Sequence, residues 1–253
     1  MIQVKNAAQI AMMRDAGKIT GEALAMAGEM VRPGITTKEI DTAIREYIKK
    51  CGATPSFLNY GGFPASACIS VNDEVIHGIP SAKKILRDGD IVKIDVGAYY
   101  KGYHGDSANT FPVGSVSEEA ETLIRVTKES FQKGIETLGP GSRLGDLGAA
   151  VDGYVRQFGF SAVRKFVGHG IGRDVHESPD VPNYGTPGRG PRLCAGLVIA
   201  VEPMINQGTY DVQMLPDGWT VKTADRRLSA HYENTVALTE EGVINLTEVE
   251  IGE

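Results

Sequence analysis

Residues 31–52 read VRPGITTKEIDTAIREYIKKCG, and residues 138–159 read LGPGSRLGDLGAAVDGYVRQFG. The two stretches align without gaps at an offset of 107 residues, and both contain a Pro-Gly pair near the start and a glycine at the end. In the first stretch, isoleucines recur at helical spacing after Thr36 or Thr37, either of which can cap a helix. Each stretch also follows another segment with helical periodicity, residues 6–31 in one case and 117–138 in the other. The sequence therefore predicts a pair of helices that occurs twice.

The same offset relates two predicted strands. GDIVKID at residues 89–95 falls on GLVIAVE at residues 196–202, and each is a short apolar run that follows glycine and ends in a carboxylate. Such runs are typical of buried strands. Although any two amphipathic helices can be aligned by chance, one gapless offset here matches helices, glycines and strands together. We therefore predict a single α+β domain over residues 1–253, with related halves at about 1–112 and 113–253.

Composition restricts the class of protein. The chain has 253 residues, 26 Lys and Arg against 32 Asp and Glu, and a formal net charge of −6. This acidic balance argues against broad nucleic-acid binding, which depends on clustered basic residues. Three widely spaced cysteines without a CxxC pair argue against a disulfide framework and for a reducing compartment. The sequence has neither a signal-peptide pattern nor an apolar run near the ~20 residues that span a bilayer, so we expect a cytoplasmic protein without a membrane partner.

The segment 91–110 predicts a β-hairpin that brings two aspartates together. Two β-rich runs flank the two-residue turn Lys101-Gly102. With that turn, Asp106 lies opposite Gly97, so Asp95 and Asp106 are diagonal neighbours on one face of the hairpin. Two apposed carboxylates repel each other unless a proton or a cation lies between them. A turn shifted by one residue would separate them.

The second half supplies similar acidic residues. Glu202 ends the strand of residues 197–202, and Glu233 lies in the β-rich run SAHYENTVAL, after a long loop that contains Trp219. By pseudo-symmetry these two glutamates face the two aspartates, and two divalent cations would neutralise the charge of four carboxylates. Bridging carboxylates of this kind are what a two-metal centre requires.

Histidines provide the candidate nitrogen ligand. His169 lies among three glycines, which indicates a close approach of the backbone to another group, and we expect it to bind metal. His77 and His176 are candidate polar groups at the rim of the site, although a hydrogen-bonded loop histidine is as good an interpretation for each. We interpret His104 and His231 as structural. The sequence contains no HExxH, GxSxG or GxGxxG motif, which argues against a zincin, a serine hydrolase elbow and a Rossmann site.

Taken in order, the motifs of the chain resemble those of a known family. They are HGIP at His77, GDIVKIDVG at Asp95, YHGDSANTF at Asp106, GHGIGRDVHESPDVPNYG at His169 and His176, AVEPMI at Glu202 and AHYENTVAL at Glu233. This set resembles type I methionine aminopeptidase over essentially the whole chain. The resemblance implies the pita-bread α+β fold, in which a pseudo-two-fold antiparallel sheet is flanked by helices.

The resemblance also implies a metal-binding role for each matched ligand. Asp95 would bind one of two divalent ions through both oxygens. Asp106 and Glu233 would bridge the two ions, and His169 and Glu202 would complete the second metal site. A hydroxide that bridges the ions would attack the first peptide bond, with Glu202 as the general base.

Substrate contacts are implied in the same way. His77 and His176 would contact the scissile amide and stabilise the tetrahedral intermediate. The methionine pocket would be lined by three aromatic residues and a cysteine, which are Tyr60, Phe63, Cys68 and Trp219. Phe63 stands where tyrosine is common in relatives, and Val175 stands where a bulkier residue is common. These departures do not affect the metal ligands, but the shape of the pocket cannot be predicted from the resemblance.

The implied activity is removal of the N-terminal methionine from nascent proteins and peptides with a small second residue. The cofactors would be two divalent ions, with Co, Mn, Fe and Zn all acceptable to this ligand set. Nascent N termini are the expected partners. Binding to the ribosome is inferred from that role, without a sequence motif of its own, and nothing in the sequence demands more than a monomer.

Two alternatives stay open. An Xaa-Pro dipeptidase would carry an additional N-terminal domain, and a non-catalytic pita-bread binding module typically lacks some ligands. A type II methionine aminopeptidase would need a helical insertion that the interval between Glu202 and Glu233 is too short to hold.

Overall fold

The computed structural model describes residues 2–249, in which two helices precede the first strands and two further helices precede most of the later ones. The helices are α1 (Ala7–Glu29), α2 (Thr37–Lys50), α3 (Glu118–Ile135) and α4 (Leu144–Arg156), and Tyr60–Gly62 forms a single 3₁₀ turn. The strands are β1 (Thr54–Pro55), β2 (Ala67–Val71), β3 (Glu74–Ile76), β4 (Ile91–Tyr100), β5 (Tyr103–Pro112), β6 (Ser161–Ala162), β7 (Gly168–Gly170), β8 (Glu177–Val181), β9 (Val198–Val201), β10 (Met204–Asn206), β11 (Val212–Met214), β12 (Val221–Thr223), β13 (Ser229–His231), β14 (Glu233–Thr239) and β15 (Gly242–Asn245).

The strands form a central antiparallel sheet with two small satellites. The central sheet has the order β1-β4-β5-β14-β9-β7-β8, with β2 paired to β4 and β15 paired to β14. The satellites are β13-β10-β6 and β11-β12-β3. Strands of the first half therefore meet strands of the second half where β5 lies beside β14. Helices and antiparallel strands in one chain confirm the predicted α+β class.

Backbone conformation repeats at the offset of 107 residues. Helix α2 begins at Thr37, and helix α4 begins at Leu144. Three pairs of glycines at this offset have nearly the same positive φ angle, namely Gly34 and Gly141 (92° and 90°), Gly52 and Gly159 (74° and 76°), and Gly89 and Gly196 (89° and 85°). Glycine adopts this left-handed conformation without the steric cost that other residues pay. The agreement of the angles supports the interpretation of two related halves.

The second helix shows how the sequence builds one side of the core. Thr36, rather than Thr37, is its N-cap: the Thr36 side chain accepts the Glu39 N–H, and the Glu39 carboxylate accepts the Thr36 N–H. This reciprocal capping fixes where the helix begins. Its buried isoleucines then pack against Ile94 and Val96 of β4. Because side chains alternate along a strand, Asp95 points to the opposite face of the sheet.

The second half repeats this arrangement. Leu147 and Val151 of α4 pack in one apolar cluster with Ile199 and Val201 of β9. Residues at even positions of β9 therefore face away from α4, and Glu202, directly after the strand, continues that series. Helices α2 and α4 thus cover one face of the sheet, while Met13 of α1 packs against Val198 on the other face, at the end of β9 away from Glu202. Within residues 2–249, no helix is both long enough and apolar enough to cross a membrane.

A buried ion pair ties the segment before α1 to the strand that follows His176. The Lys5 Nζ lies 2.6 Å from an oxygen of Glu177, and the two side chains are 5% and 2% exposed. The other Glu177 oxygen accepts the backbone N–H of Arg173. Removing one member of such a pair leaves the other charge buried without compensation.

We therefore expect Lys5→Met to lower the free energy of unfolding by about 3–5 kcal/mol, because Glu177 loses its counter-charge. Urea unfolding followed by circular dichroism measures this change. The double variant Lys5→Met/Glu177→Gln should regain much of the loss. Lys133→Met, which removes a half-exposed lysine from the surface pair with Glu136, should leave stability nearly unchanged. A Lys5→Met variant as stable as the wild type would contradict the importance of the buried pair.

Candidate metal centre and substrate cavity

The β4–β5 hairpin has the predicted register. Lys101 and Gly102 form its turn with φ angles of 51° and 87°, as a two-residue turn of this kind requires. Gly97 lies opposite Asp106 in the ladder. Asp95 and Asp106 are therefore diagonal neighbours on one face, and the prediction of their proximity is confirmed.

One row of residues crosses four strands at the site. Cys68 on β2 lies opposite Asp95 on β4, Asp95 lies opposite Ala108 on β5, and Ala108 lies opposite Glu233 on β14. Residues directly opposite one another in a ladder share a face of the sheet. Ala108 is fully buried, and its small side chain leaves the space between the Asp95 and Glu233 carboxylates free.

His169 and Glu202 reach this face from the neighbouring strands. His169 on β7 pairs with Ala200, two residues before Glu202. The His169 Nε2 lies 3.6 Å from a Glu202 oxygen and 3.8 Å from an Asp106 oxygen. Its Nδ1 lies 2.9 Å from the carbonyl oxygen of Gly170. Because a carbonyl only accepts, Nδ1 carries the proton, and the lone pair of Nε2 points toward the carboxylates.

Burial makes this cluster electrostatically costly. It raises the pKa of Asp95 to about 7. It also raises the pKa values of Asp106, Glu202 and Glu233 well above their usual range, and for these three groups repulsion by the neighbouring carboxylates is a further cause. Burial also lowers the pKa of His169 to about 3, so its imidazole is neutral. Among the residues that the structure describes, Asp95 Oδ1 and Asp106 Oδ1 are buried without a hydrogen-bond partner. The site thus contains acceptors that a cation would satisfy.

The donor set fits divalent metal ions. Asp106, His169 and Glu233 place one ligand atom each within 4.8 Å of the others, and Asp95, His231 and Glu233 form a second group of the same size. Glu233 belongs to both groups, as a bridging carboxylate would. Carboxylate oxygens and neutral imidazole nitrogens are ligands of first-row divalent ions.

A cavity of about 400 Å³ joins the acidic cluster to an apolar end. It brings together all the site residues predicted from the sequence, which are Tyr60, Phe63, Cys68, His77, Asp95, Asp106, His169, His176, Glu202, Trp219 and Glu233. At the apolar end, the Phe63 ring meets Trp219 edge-on at 5.1 Å between centroids, and Phe57 packs beside them. Val175, which the sequence left open, is buried in the same apolar cluster.

His77 and His176 lie between the acidic cluster and the apolar end. His176 Nδ1 is 2.8 Å from the Tyr60 hydroxyl, and its ring is 4.2 Å from that of His169. His77 has a φ angle of 57°, a conformation that few non-glycine residues adopt and that is concentrated at functional sites. Burial lowers the pKa of His77 to about 4, which keeps this imidazole neutral. Its ring meets Phe166 edge-on.

Three residues at the site were not predicted from the sequence. His231, interpreted above as structural, directs its Nε2 toward Glu202 and Glu233 at 3.7 and 3.6 Å. Its spacing of two residues from Glu233 was the available signal, because residues i and i+2 of a strand share a face. Phe57 and Phe166 also line the cavity, and no local sequence pattern marks them.

Comparisons with known proteins agree with this geometry. The model of Metallopeptidase family M24 matches residues 11–240. A methionine aminopeptidase of Clostridium perfringens is 59% identical over 98% of this chain and 99% of its own length. The crystal structure of methionine aminopeptidase from Thermotoga maritima has a TM-score of 0.97 at 42% identity, over 98% of this chain and 100% of that chain. The prolidase from Pyrococcus furiosus has a TM-score of 0.80 at 25% identity, and the match covers 98% of this chain and 66% of that chain.

The chain therefore belongs to metallopeptidase family M24, and it has the pita-bread fold that its relatives share. Within that family, the resemblance to the type I methionine aminopeptidases, a group of metal-dependent exopeptidases, is confirmed.

Removing one buried carboxylate should stabilise the metal-free protein. We expect Asp106→Asn to raise the free energy of unfolding of metal-free protein by about 1–3 kcal/mol, because a buried charge is replaced by a neutral amide of the same shape. The same variant should lose most of the rise in melting temperature that Co²⁺ gives the wild type. Differential scanning calorimetry with and without Co²⁺ measures both effects.

The exposed Asp211→Asn serves as the control and should behave as the wild type in both states. A metal-free Asp106→Asn protein that is less stable than the metal-free wild type would show that Asp106 is not under electrostatic strain.

Proposed function

We propose that this enzyme removes the N-terminal methionine from proteins and peptides whose second residue is small. The observation that carries the proposal is the single cavity that has a buried acidic cluster at one end and an apolar pocket at the other. The names of the relatives support the same activity. Newly made polypeptides in the cytoplasm are the proposed physiological substrates.

The four carboxylates and His169 would hold two divalent ions, whose Lewis acidity would lower the pKa of water, polarise the substrate carbonyl and favour binding of the free α-amine. Asp95, Asp106 and Glu233 hold their positions on one rigid face of the sheet, which keeps the ligand geometry fixed. The Thr235 hydroxyl accepts the Asp106 N–H and donates to the Asp106 carbonyl oxygen. These two hydrogen bonds fix the backbone of Asp106, the proposed bridging residue, against β14.

Glu202 is the proposed general base. It lies at the end of β9 beside the other carboxyls, and burial raises its pKa well above the usual value. A carboxylate with a raised pKa is a better proton acceptor near neutral pH. Glu202 would take a proton from the attacking water and pass it to the amine that leaves. The Asn183 side chain donates to the Glu202 backbone carbonyl at 2.8 Å and so fixes the position of this residue.

His77 and His176 are the proposed donors to the scissile amide. His77 is neutral, so one of its ring nitrogens carries a proton that can be donated to the carbonyl oxygen as negative charge develops there. The Tyr60 hydroxyl fixes the orientation of the His176 ring. Both rings lie between the metal-binding residues and the apolar pocket, where the first peptide bond would lie if the side chain of residue one occupied that pocket.

Phe63, Trp219 and Cys68 form the proposed methionine pocket. An unbranched, polarisable thioether packs well against aromatic edges and a buried thiol. Phe166 meets His77 edge-on at 5.9 Å between centroids, and both rings line the cavity beside the proposed position of the scissile bond. The second residue of the substrate would lie there, which favours a small side chain at that position.

A peptide panel tests the substrate assignment. Protein reconstituted with Co²⁺ should release methionine from Met-Ala-Ser at least about 10²-fold faster than from Met-Trp-Ser, because the Phe166 and His77 rings would exclude a large second residue. Liquid chromatography of the products measures both rates. An Ala-Pro dipeptide should stay intact. Hydrolysis of Ala-Pro without release of methionine would instead assign the Xaa-Pro dipeptidase activity, which the structural match to a prolidase makes the second candidate.

Glu202→Gln tests the proton transfer. We expect kcat to fall by about 10²–10⁴-fold, because an amide cannot accept the proton of water. Most of the Co²⁺ bound at saturation should remain, since glutamine keeps one oxygen donor. Steady-state kinetics and metal analysis of the same preparation separate the two effects. Glu46→Gln, at an exposed position of α2, is the matched control. Turnover near that of the wild type in Glu202→Gln would rule out the general-base role.

A further inference from the structure

His231 is a buried imidazole whose polar atoms have no partner. Its side chain is 1% exposed, and neither ring nitrogen has a hydrogen-bond partner among residues 2–249. Leaving a buried polar group unpaired carries a free-energy cost, because the group loses its hydrogen bonds to water. A purely structural role for this ring leaves that cost uncompensated, so the ring needs another partner.

The backbone directs this ring into the acidic cluster. Thr110 on β5 accepts the His231 N–H at 2.9 Å, and the same Thr110 hydroxyl donates to the His231 carbonyl oxygen at 2.8 Å. This double contact holds the end of β13 against β5. The His231 Nε2 then lies 3.6 Å from a Glu233 oxygen and 3.7 Å from a Glu202 oxygen.

These distances are those of donors around a common ion. They exceed the 2.7–3.2 Å range of an N–H···O hydrogen bond. Two donors that each lie about 2.1 Å from one ion in tetrahedral geometry are about 3.4 Å apart. His169 has almost the same separations, 3.6 and 3.8 Å, from Glu202 and Asp106. Each imidazole thus lies at a similar distance from two carboxylates, and Glu202 is common to both pairs.

We propose that His231 Nε2 is a ligand of the ion held by Asp95 and Glu233, so that each of the two ions has one imidazole donor. His231, Asp95 and Glu233 already place their ligand atoms within 4.8 Å of one another. The inference rests on the metal centre of the proposed function and is independent of the substrate assignment.

The second ring nitrogen indicates that this ligand binds more weakly than His169. The Nδ1 of His169 is oriented toward the Gly170 carbonyl oxygen at 2.9 Å, whereas the Nδ1 of His231 has no acceptor among the described residues. A hydrogen bond of this kind raises the basicity of the ligating nitrogen. The loss of His231 should therefore weaken metal binding less than the loss of His169.

An imidazole at this position also changes the preference among metals. Imidazole suits Fe, Ni, Cu and Zn, whereas carboxylate and water suit Mg, Ca and Mn. A site with Asp95 and Glu233 alone would offer only oxygen donors. With His231 as a ligand, this site should favour Co²⁺ over Mn²⁺, and replacing His231 should reduce that preference.

Metal titration of His231→Gln tests the proposal. Isothermal titration calorimetry should give a Kd for one of the two Co²⁺ ions that is at least about tenfold weaker than in the wild type, with a smaller change for Mn²⁺. The visible d–d spectrum of the Co²⁺ protein should change in band position, because one nitrogen donor is lost. His169→Gln should weaken Co²⁺ binding further. His104→Gln replaces a histidine that bonds to the Ser56 hydroxyl outside the cluster, and it should match the wild type.

A wild-type measurement covers the case in which His231→Gln does not fold. Protein labelled with ¹⁵N-histidine and loaded with ¹¹³Cd²⁺ should show scalar coupling from cadmium to ring nitrogens of both His169 and His231. Coupling to His169 alone, or unchanged Co²⁺ affinity and spectrum in a folded His231→Gln, would overturn the proposal. If the wild type binds two ions in this way but releases no methionine, the substrate assignment fails and the metal-ligand assignment stands.

Discussion

Four carboxyl groups buried on one face of a sheet are the constraint on which the rest of this structure depends. Moving a single charged carboxylate from water into a protein interior costs several kcal/mol even after relaxation. Asp95, Asp106, Glu202 and Glu233 share one cavity, and burial raises the pKa values of all four, with repulsion by neighbouring carboxylates as a further cause for the last three. Positive charge among these carboxylates offsets the cost of burying them. The mixture of oxygen and imidazole donors is suited to divalent metal ions.

The fold supplies the rigidity that such a cluster needs. Two adjacent central strands, β5 and β14, carry Asp106 and Glu233, and β4 and β9 flank them with Asp95 and Glu202. Helices pack on the opposite face, so the carboxylates cannot move apart without disturbing both apolar clusters of the core. Ala108 keeps the centre of the row open. Asp95 and Glu202, which are 107 residues apart in sequence, occupy equivalent positions in β4 and directly after β9 of this sheet.

Local patterns made much of this arrangement predictable. The two-residue turn at Lys101-Gly102 set the register of β4 and β5, and that register alone placed Asp95 beside Asp106. Pairs of glycines and helix caps marked the repeated helices. Local motifs also predicted the two glutamates and the candidate histidines. The family resemblance supplied the pocket residues Tyr60, Phe63, Cys68 and Trp219, and the structure brings all of these residues together.

Side-chain positions that depend on long-range packing could not be predicted from the sequence. Phe57 and Phe166 reach the cavity from loops, and no periodic sequence pattern predicts the path of a loop. The direction of the His231 ring was not predicted despite its spacing of two residues from Glu233, because the chain passes from β13 to β14 at Tyr232 and strand alternation need not continue across such a break. Its direction depends on the contact with Thr110, which is 121 residues away in sequence. The choice between Thr36 and Thr37 as helix cap likewise needed the position of the Glu39 carboxylate.

Anomalous diffraction from a crystal of the Co²⁺-loaded protein, recorded at the cobalt edge, tests the central claim most directly. We expect two peaks about 3.5–4 Å apart, with Glu233 between them, on the acidic face of the sheet. Peaks only on the protein surface, or a single peak that contacts neither Asp106 nor Glu233, would contradict it.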